Sequence, residues 1–207
     1  MTLAGAPRAA RPARRSPHDL TFTLPAETVE RFASDEPDWL AADRRAAFAR
    51  YQDLPVETNP LYTTYVDLRT ADLGEVRARD RFSNAPASGG ADVPAETAAF
   101  ALVTDEGLAA LELTEEARTA GVILDTIAGV VTRDEGLARR LLTDETTLPL
   151  DDQLAQLTRA GWNQGLVLHV PAGVRLEDPV VLRWEVGTGG RALLTRTIVD
   201  LGEGAAV

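Results

Sequence analysis

Residues 165–207 read GLVLHVPAGVRLEDPVVLRWEVGTGGRALLTRTIVDLGEGAAV, and the reading of this stretch decides the fold. Val180, Leu182, Trp184 and Val186 alternate with Val181, Arg183 and Glu185, a period of two that predicts a strand with one face buried. GTGGR supplies a tight turn, ALLTRTIVDL a second β-rich strand and GEG another turn, while Pro171 and Gly173 turn the chain between strands in the same way. Strand, turn, strand, turn, strand is the local grammar of a sheet that returns on itself.

Working back from that stretch, LDDQLAQLTRAG (150–161) predicts a helix with Leu150, Leu154 and Leu157 on its apolar edge. Asp151 and Asp152 sit at the positive end of its dipole, and Gly161 is placed to take the left-handed C-terminal position. Adjacent carboxylates at a helix start point in different directions, so this pair reads as capping rather than as an acid/base couple. Upstream, TAAFALVTDEGLAALELTEEARTAGVILDTIAGVV mixes short apolar runs with turn signals, predicting strands at about 98–104, 109–113 and 121–126. TRDEGLARRLL reads as a short helix.

The first third differs in character. Residues 24–53 have few β-branched residues and a helical pattern, with Asp35 positioned to cap a helix that carries Pro37 in its first turn and Pro55 ending it. Leu40, Ala47, Phe48 and Tyr51 fall on one stripe that packs against a neighbour. NPLYTTYVDLRTADL reads as extended chain and FSNAPASGGADVP as a loop, with a boundary near 82–93. The divisions expected are a disordered Arg-rich tail over 1–23, a helical region and linker over 24–93, and a sheet-bearing core over 94–207.

Composition excludes several function classes. With 207 residues and 44% hydrophobic content the chain can bury a core as an ordinary globular protein. It has no cysteine, which removes disulfides, thiolate metal sites and cysteine nucleophiles from this span. His18 and His169 are its two histidines, far apart in sequence, so a histidine-rich metal site is not expected. Arg8, Arg11, Arg14 and Arg15 precede the first acid, leaving 17 Arg against 32 acidic residues, about −15, in the remainder. An acidic body repels phosphate backbones and anionic lipids, which argues against nucleic-acid or membrane-surface partners. Pro7, Pro12 and Pro17 would break an amphipathic transit helix. No window approaches the ~20 apolar residues that span a bilayer, and a cytoplasmic location is expected.

Candidate chemistry reads blandly. GTGGR and GEGAA are turns, since a phosphate loop needs a strand-to-helix turn and, in the P-loop case, a Lys, and the chain has no Lys. His169 lies in the apolar strand LVLHV without a nucleophile elbow and reads as structural. Trp39, Trp162 and Trp184 are scattered over different elements and read as core filling.

Two stretches together resemble one family. EPDWLAADRRAAFARYQDLP is similar to the amino-terminal helix of SufB/SufD-type iron–sulfur cluster assembly proteins, matched at Glu36, Pro37, Trp39, Arg44, Ala47, Phe48, Leu54 and Pro55. The stretch from residue 150 to 185 resembles the same family's entry into its core, matched at Gly165, Val170, Pro171, Gly173, Val174, Pro179 and Val180. RTIVDLGEGA, Arg196 to Ala205, resembles the next coil. Arg45, where an apolar residue is usual, and Thr158, where Asn is common, depart from the pattern, and the short Arg tail in place of a long aromatic and Gly-rich lead-in looks like the SufD side.

The resemblance implies an α+β chain: an amino-terminal helical region, a mixed α/β segment and the first coils of a right-handed parallel β-helix, incomplete at residue 207. It implies a non-enzymatic scaffold subunit whose partners are a SufB-like paralogue and a SufC-type ABC ATPase. The cluster-building and ATPase-binding parts would lie in later coils and a carboxy-terminal segment, so no catalytic, cofactor-binding or metal residue is expected in residues 1–207, and no cofactor in this span. A solenoid needs several coils and a cap, so the span is expected to be a fragment that self-associates or dissolves poorly when expressed alone. The rival readings are a β-helix carbohydrate-active enzyme, which needs carboxylates clustered on one solenoid face, and a free-standing acidic interaction module.

Overall fold

A computed structural model describes residues 22–55, 73–80, 92–144, 147–187 and 189–207. The Arg-rich start with His18, most of the extended stretch after Pro55 and most of the Gly, Pro and Ser-rich loop lie outside the described residues.

The predicted helical run divides into α1 (Ala26–Ala33) and α2 (Asp38–Asp53). Asp35 does not cap α2: Pro37 is its N-cap, extended at φ −56° and ψ 148°, and no side chain caps the helix. The Ser34 hydroxyl donates to Arg31 O at 2.8 Å as α1 ends, and the Asp35 carboxylate lies beside that hydroxyl rather than at the free amides of α2. Leu54 ends α2 in an extended conformation, as the residue before a proline prefers. Of the predicted stripe, Leu40, Ala47 and Tyr51 are buried and Phe48 is half-buried, and the same face carries a fully buried Arg44.

The sheet-forming part runs β1 (Arg77–Ala78), β2 (Ala99–Thr104), β3 (Gly107–Leu113), α3 (Glu115–Thr119), β4 (Ile123–Thr126), α4 (Ile127–Arg133), α5 (Glu135–Leu142), α6 (Gln153–Gly161), β5 (Gln164–Val170), β6 (Val180–Glu185), β7 (Arg191–Ala192) and β8 (Thr195–Leu201). The strands expected at 98–104, 109–113 and 121–126 are β2, β3 and β4 with ends moved by up to two residues. Helices α3 and α4 interrupt stretches read as turns and apolar runs. Thr114 and Thr126 each accept a hydrogen bond from the backbone N–H three residues on, so a capping threonine starts both helices despite the β-branched Ile and Val that follow Thr126.

Among the described residues three small sheets result, a parallel pair β1-β7 and two mixed sheets in the orders β3-β2-β6 and β4-β5-β8. β2 and β3 form an antiparallel hairpin, β4 runs antiparallel to β5, and the remaining pairings are parallel. The architecture is α+β, helices first, and among the described residues no sheet is closed or runs on as a solenoid sheet. Two of the parallel contacts share one offset of 31 residues: Gln164 pairs with Thr195 along β5 and β8, and Arg175 bridges to Ala206 just beyond. The corner between them stacks too, with Gly173 N donating to Glu203 O at 2.9 Å and Ala206 N to Val174 O at 3.0 Å.

Alternation along the strands sets the layers. Leu166, Leu168 and Val170 of β5 meet Ala99, Ala101 and Val103 of β2 in one interior cluster, against which Val180, Leu182 and Trp184 of β6 also pack. On the opposite face of β5, Val167 packs with Ile127, Leu142 and Trp162. The period of two predicted for β6 therefore holds, but its other face is also partly covered, Val181 packing on Phe100 and Leu102. Val186 lies past the end of β6 and is exposed. The strands on either side of GTGGR do not pair with each other: β6 pairs with β2 and β7 with β1.

Helix α6 joins the helical and sheet layers: Leu157 and Ala160 pack against Val29, Ala47 and Tyr51. Its Gly161 does not adopt the left-handed conformation predicted for it; it is the last helical residue, with Trp162 as C-cap. The requirement there is steric, since a Cβ would stand 2.6 Å from Leu194 Cδ1 and 3.1 Å from Leu24 Cδ2.

Candidate functional site

Asp152 is the N-cap of α6, its Oδ1 accepting from Ala155 N at 2.8 Å, whereas Asp151 is exposed one residue before it. The two carboxylates thus have separate surroundings, in line with capping. The three tryptophans remain apart. Trp39 is half-buried under the Arg139 guanidinium at 5.1 Å, Trp162 is buried under that of Arg44 at 4.5 Å, and Trp184 lines the interior cluster.

His169 is held by strand register. It stands opposite Asp200 on β8, and its Nδ1 lies 2.6 Å from Asp200 Oδ2. Arg140 of α5 donates to both oxygens of that carboxylate, at 3.3 and 2.7 Å. The Arg140 hydrogen bonds first, and that from His169 after them, hold the Asp200 carboxyl below its ordinary value against the cost of burial. Among the described residues no hydroxyl side chain is hydrogen-bonded to His169. The trio braces α5 to the two strands and offers no nucleophile.

Sequence reasoning missed the buried charge. Arg44, fully buried, sends Nε and Nη2 to the two Glu36 oxygens at 2.9 and 2.6 Å and Nη1 to the carbonyls of Ala160 and Trp162 at 2.8 and 3.2 Å. A guanidinium is thereby sunk between α2 and the end of α6 with all of these donors paired, which is what makes its burial tolerable. Arg159 of α6 pairs with Asp43 of α2, and Arg196 of β8 donates to Leu142 O at the end of α5. The available signal was position: Arg44 lies four residues after Leu40 and three before Ala47, on the apolar stripe itself.

The strand edge is the second feature. β8 is the outer strand of its sheet, with one row of backbone groups not engaged by β5. In register above the interior residues Leu166, Leu168 and Val170 stand Thr197, Val199 and Leu201. Val199 and Leu201 are 53% and 45% exposed, although the residues beneath them are core. An open edge above an uncovered apolar column favours addition of another strand.

Among the described residues no cluster of three or more His, Cys, Asp or Glu is placed to hold a metal ion, and no helix is long and apolar enough to cross a membrane. No family model and no curated protein matches this chain.

Proposed function

We propose that the chain is the amino-terminal part of a SufD-like, non-enzymatic scaffold subunit of cytoplasmic iron–sulfur cluster assembly, working with a SufB-like paralogue and a SufC-type ABC ATPase. The observation that carries the reading is the 31-residue offset shared by the β5–β8 ladder and the Arg175–Ala206 bridge. A constant offset with stacked corners is how one coil of a parallel β-helix rests on the next, and these are the residues in which the family resemblance was strongest. The apolar column of Val199 and Leu201, left open above the core, is the surface on which a further coil would build.

The motif residues also take roles that make physical sense of their pattern. Glu36 and Arg44 form the buried pair that docks α2, Trp39 packs over α4 and α5, and Gly165 lies where the next strand's backbone approaches. In this reading the nascent cluster is cargo of the whole complex, and no residue of this chain is assigned as its ligand. The carbohydrate-enzyme alternative draws no support here, because the buried or half-buried acids Glu36, Asp43, Asp152 and Asp200 act as a cap or as partners of arginine.

The test is co-expression of the complete reading frame containing residues 1–207 with the SufB-like and SufC-type proteins of the same genome, followed by affinity capture through a tag on this chain. A complex of fixed stoichiometry in gel filtration is expected. Failure of both partners to co-purify, with this chain folded and monodisperse, would sink the proposal.

A further inference from the structure

Between α2, α6 and β8 the protein buries more positive than negative charge. Arg44, Arg159 and Arg196 are 0%, 3% and 4% exposed. Glu36 balances Arg44 and Asp43 balances Arg159, which leaves Arg196 with only a carbonyl partner, Leu142 O at 3.1 Å. Two carboxylates act on Arg196 through space, Asp43 first and Asp144 after it; Asp43 is already shared with Arg159, and Asp144 is exposed to solvent beyond α5, so its field is screened.

The hydrogen-bond count is lopsided in the same direction. Arg159 Nε, Arg159 Nη1 and Arg196 Nη1 are buried without an acceptor, while on α6 Gln153 and Gln156 each leave one acceptor, Oε1, unpaired, that of Gln156 one turn before Arg159. Unpaired buried groups are costly. A water molecule can accept two hydrogen bonds but brings two donors of its own and no charge. A monovalent anion seated between the neighbouring guanidinium groups of Arg159 and Arg196 would accept from these donors and cancel the excess charge.

We propose that this layer binds one small monovalent anion of the halide class, held by the free N–H groups of Arg159 and Arg196. The Arg196 guanidinium is meanwhile pulled down to about 10, by burial first and by the neighbouring Arg159 second, as befits a cation short of counter-charge. The occupant is small because the donors are fully enclosed, and it enters as the helical layer closes on the strands. The inference does not depend on the scaffold reading.

The full chain is to be melted in chloride, bromide and gluconate at matched ionic strength. A saturable rise in Tm of a few degrees is expected in chloride and bromide and not in gluconate, since a ligand bound only to the folded state stabilises it by mass action. Arg196→Met is expected to abolish that rise. Crystals of the wild-type chain soaked in bromide are expected to show an anomalous peak within hydrogen-bonding reach of both guanidinium groups, and this measurement decides the matter if the variant does not fold. Equal melting in the three salts, a water in that position, or bromide only at surface arginines would overturn the proposal.

Discussion

Replacing Gly165 by alanine tests the stacking of β5 and β8 directly. Gly165 pairs with Arg196 across the ladder, and a Cβ there would stand 2.6 Å from the Arg196 carbonyl oxygen and also press on the Cδ1 of buried Ile127. The side chain can in part rotate away, but the carbonyl belongs to a paired backbone and cannot move without loosening the ladder. Overpacking of this kind costs about 1–3 kcal/mol, and for a chain of this size each kcal/mol lowers Tm by roughly 2–4 °C. Gly165→Ala is therefore expected to melt roughly 2–12 °C below wild type by calorimetry, with faster amide exchange along Thr195–Leu201. Gly189→Ala is the control, because nothing lies within 4 Å of a Cβ at that position. The double variant Gly165→Ala, Ile127→Val relieves only the side-chain contact and is expected to recover part of the loss. Full recovery, or a Gly165→Ala protein as stable as wild type, would refute the close approach of the two strands.

Breaking the buried Glu36–Arg44 pair from either side is expected to cost about 3–5 kcal/mol, read from urea or guanidinium midpoints. Glu36→Gln and Arg44→Met should be strongly non-additive, since each single change removes the charge that the other, still buried, group is paired with. Asp152→Ala is expected to cost about 1 kcal/mol through loss of the α6 cap, against a change within about 0.5 kcal/mol for exposed Asp151→Ala; equal effects would revive the paired-carboxylate idea. The pH dependence follows from Asp200. Its folded-state carboxyl is depressed below the ordinary 3.8, so its contribution is present above that value and is lost as pH falls through the lower folded value. Asp200→Asn and Arg140→Gln should both flatten the acid limb of Tm against pH in that window, and an unchanged limb in both would show that the brace carries no linkage.

Part of this protein was legible in local pattern. The period-two alternation of residues 180–185, the capping Asp152 and the turn residues Pro171 and Gly173 are short-range features, and each took the form its neighbours in sequence required. Two readings failed, one to neighbours in sequence and one to distant partners. Asp35 is a good cap residue by type, but α1 closes on Ser34 and Pro37 sets the start of α2. Gly161 is a good helix terminator by type, yet it is a glycine because Leu194 and Leu24 pack on its Cα.

By itself the sequence determined many of the elements, among them the leading helical run, α5, α6 and the strands β2 to β6, because helix period, strand period, proline and glycine act over a few residues. Only the tertiary structure decided what became of the polar groups within those elements. Arg44, Arg159 and Arg196 are surface residues by every compositional expectation, and their burial depends on carboxylates and carbonyls as far away in the chain as Ala160 from Arg44. The same holds for the parallel ladders: strand sequence specifies a buried face, but which strand lies alongside is chosen by packing, and here Gly165 admits the backbone of Arg196 where any side chain would hold it off.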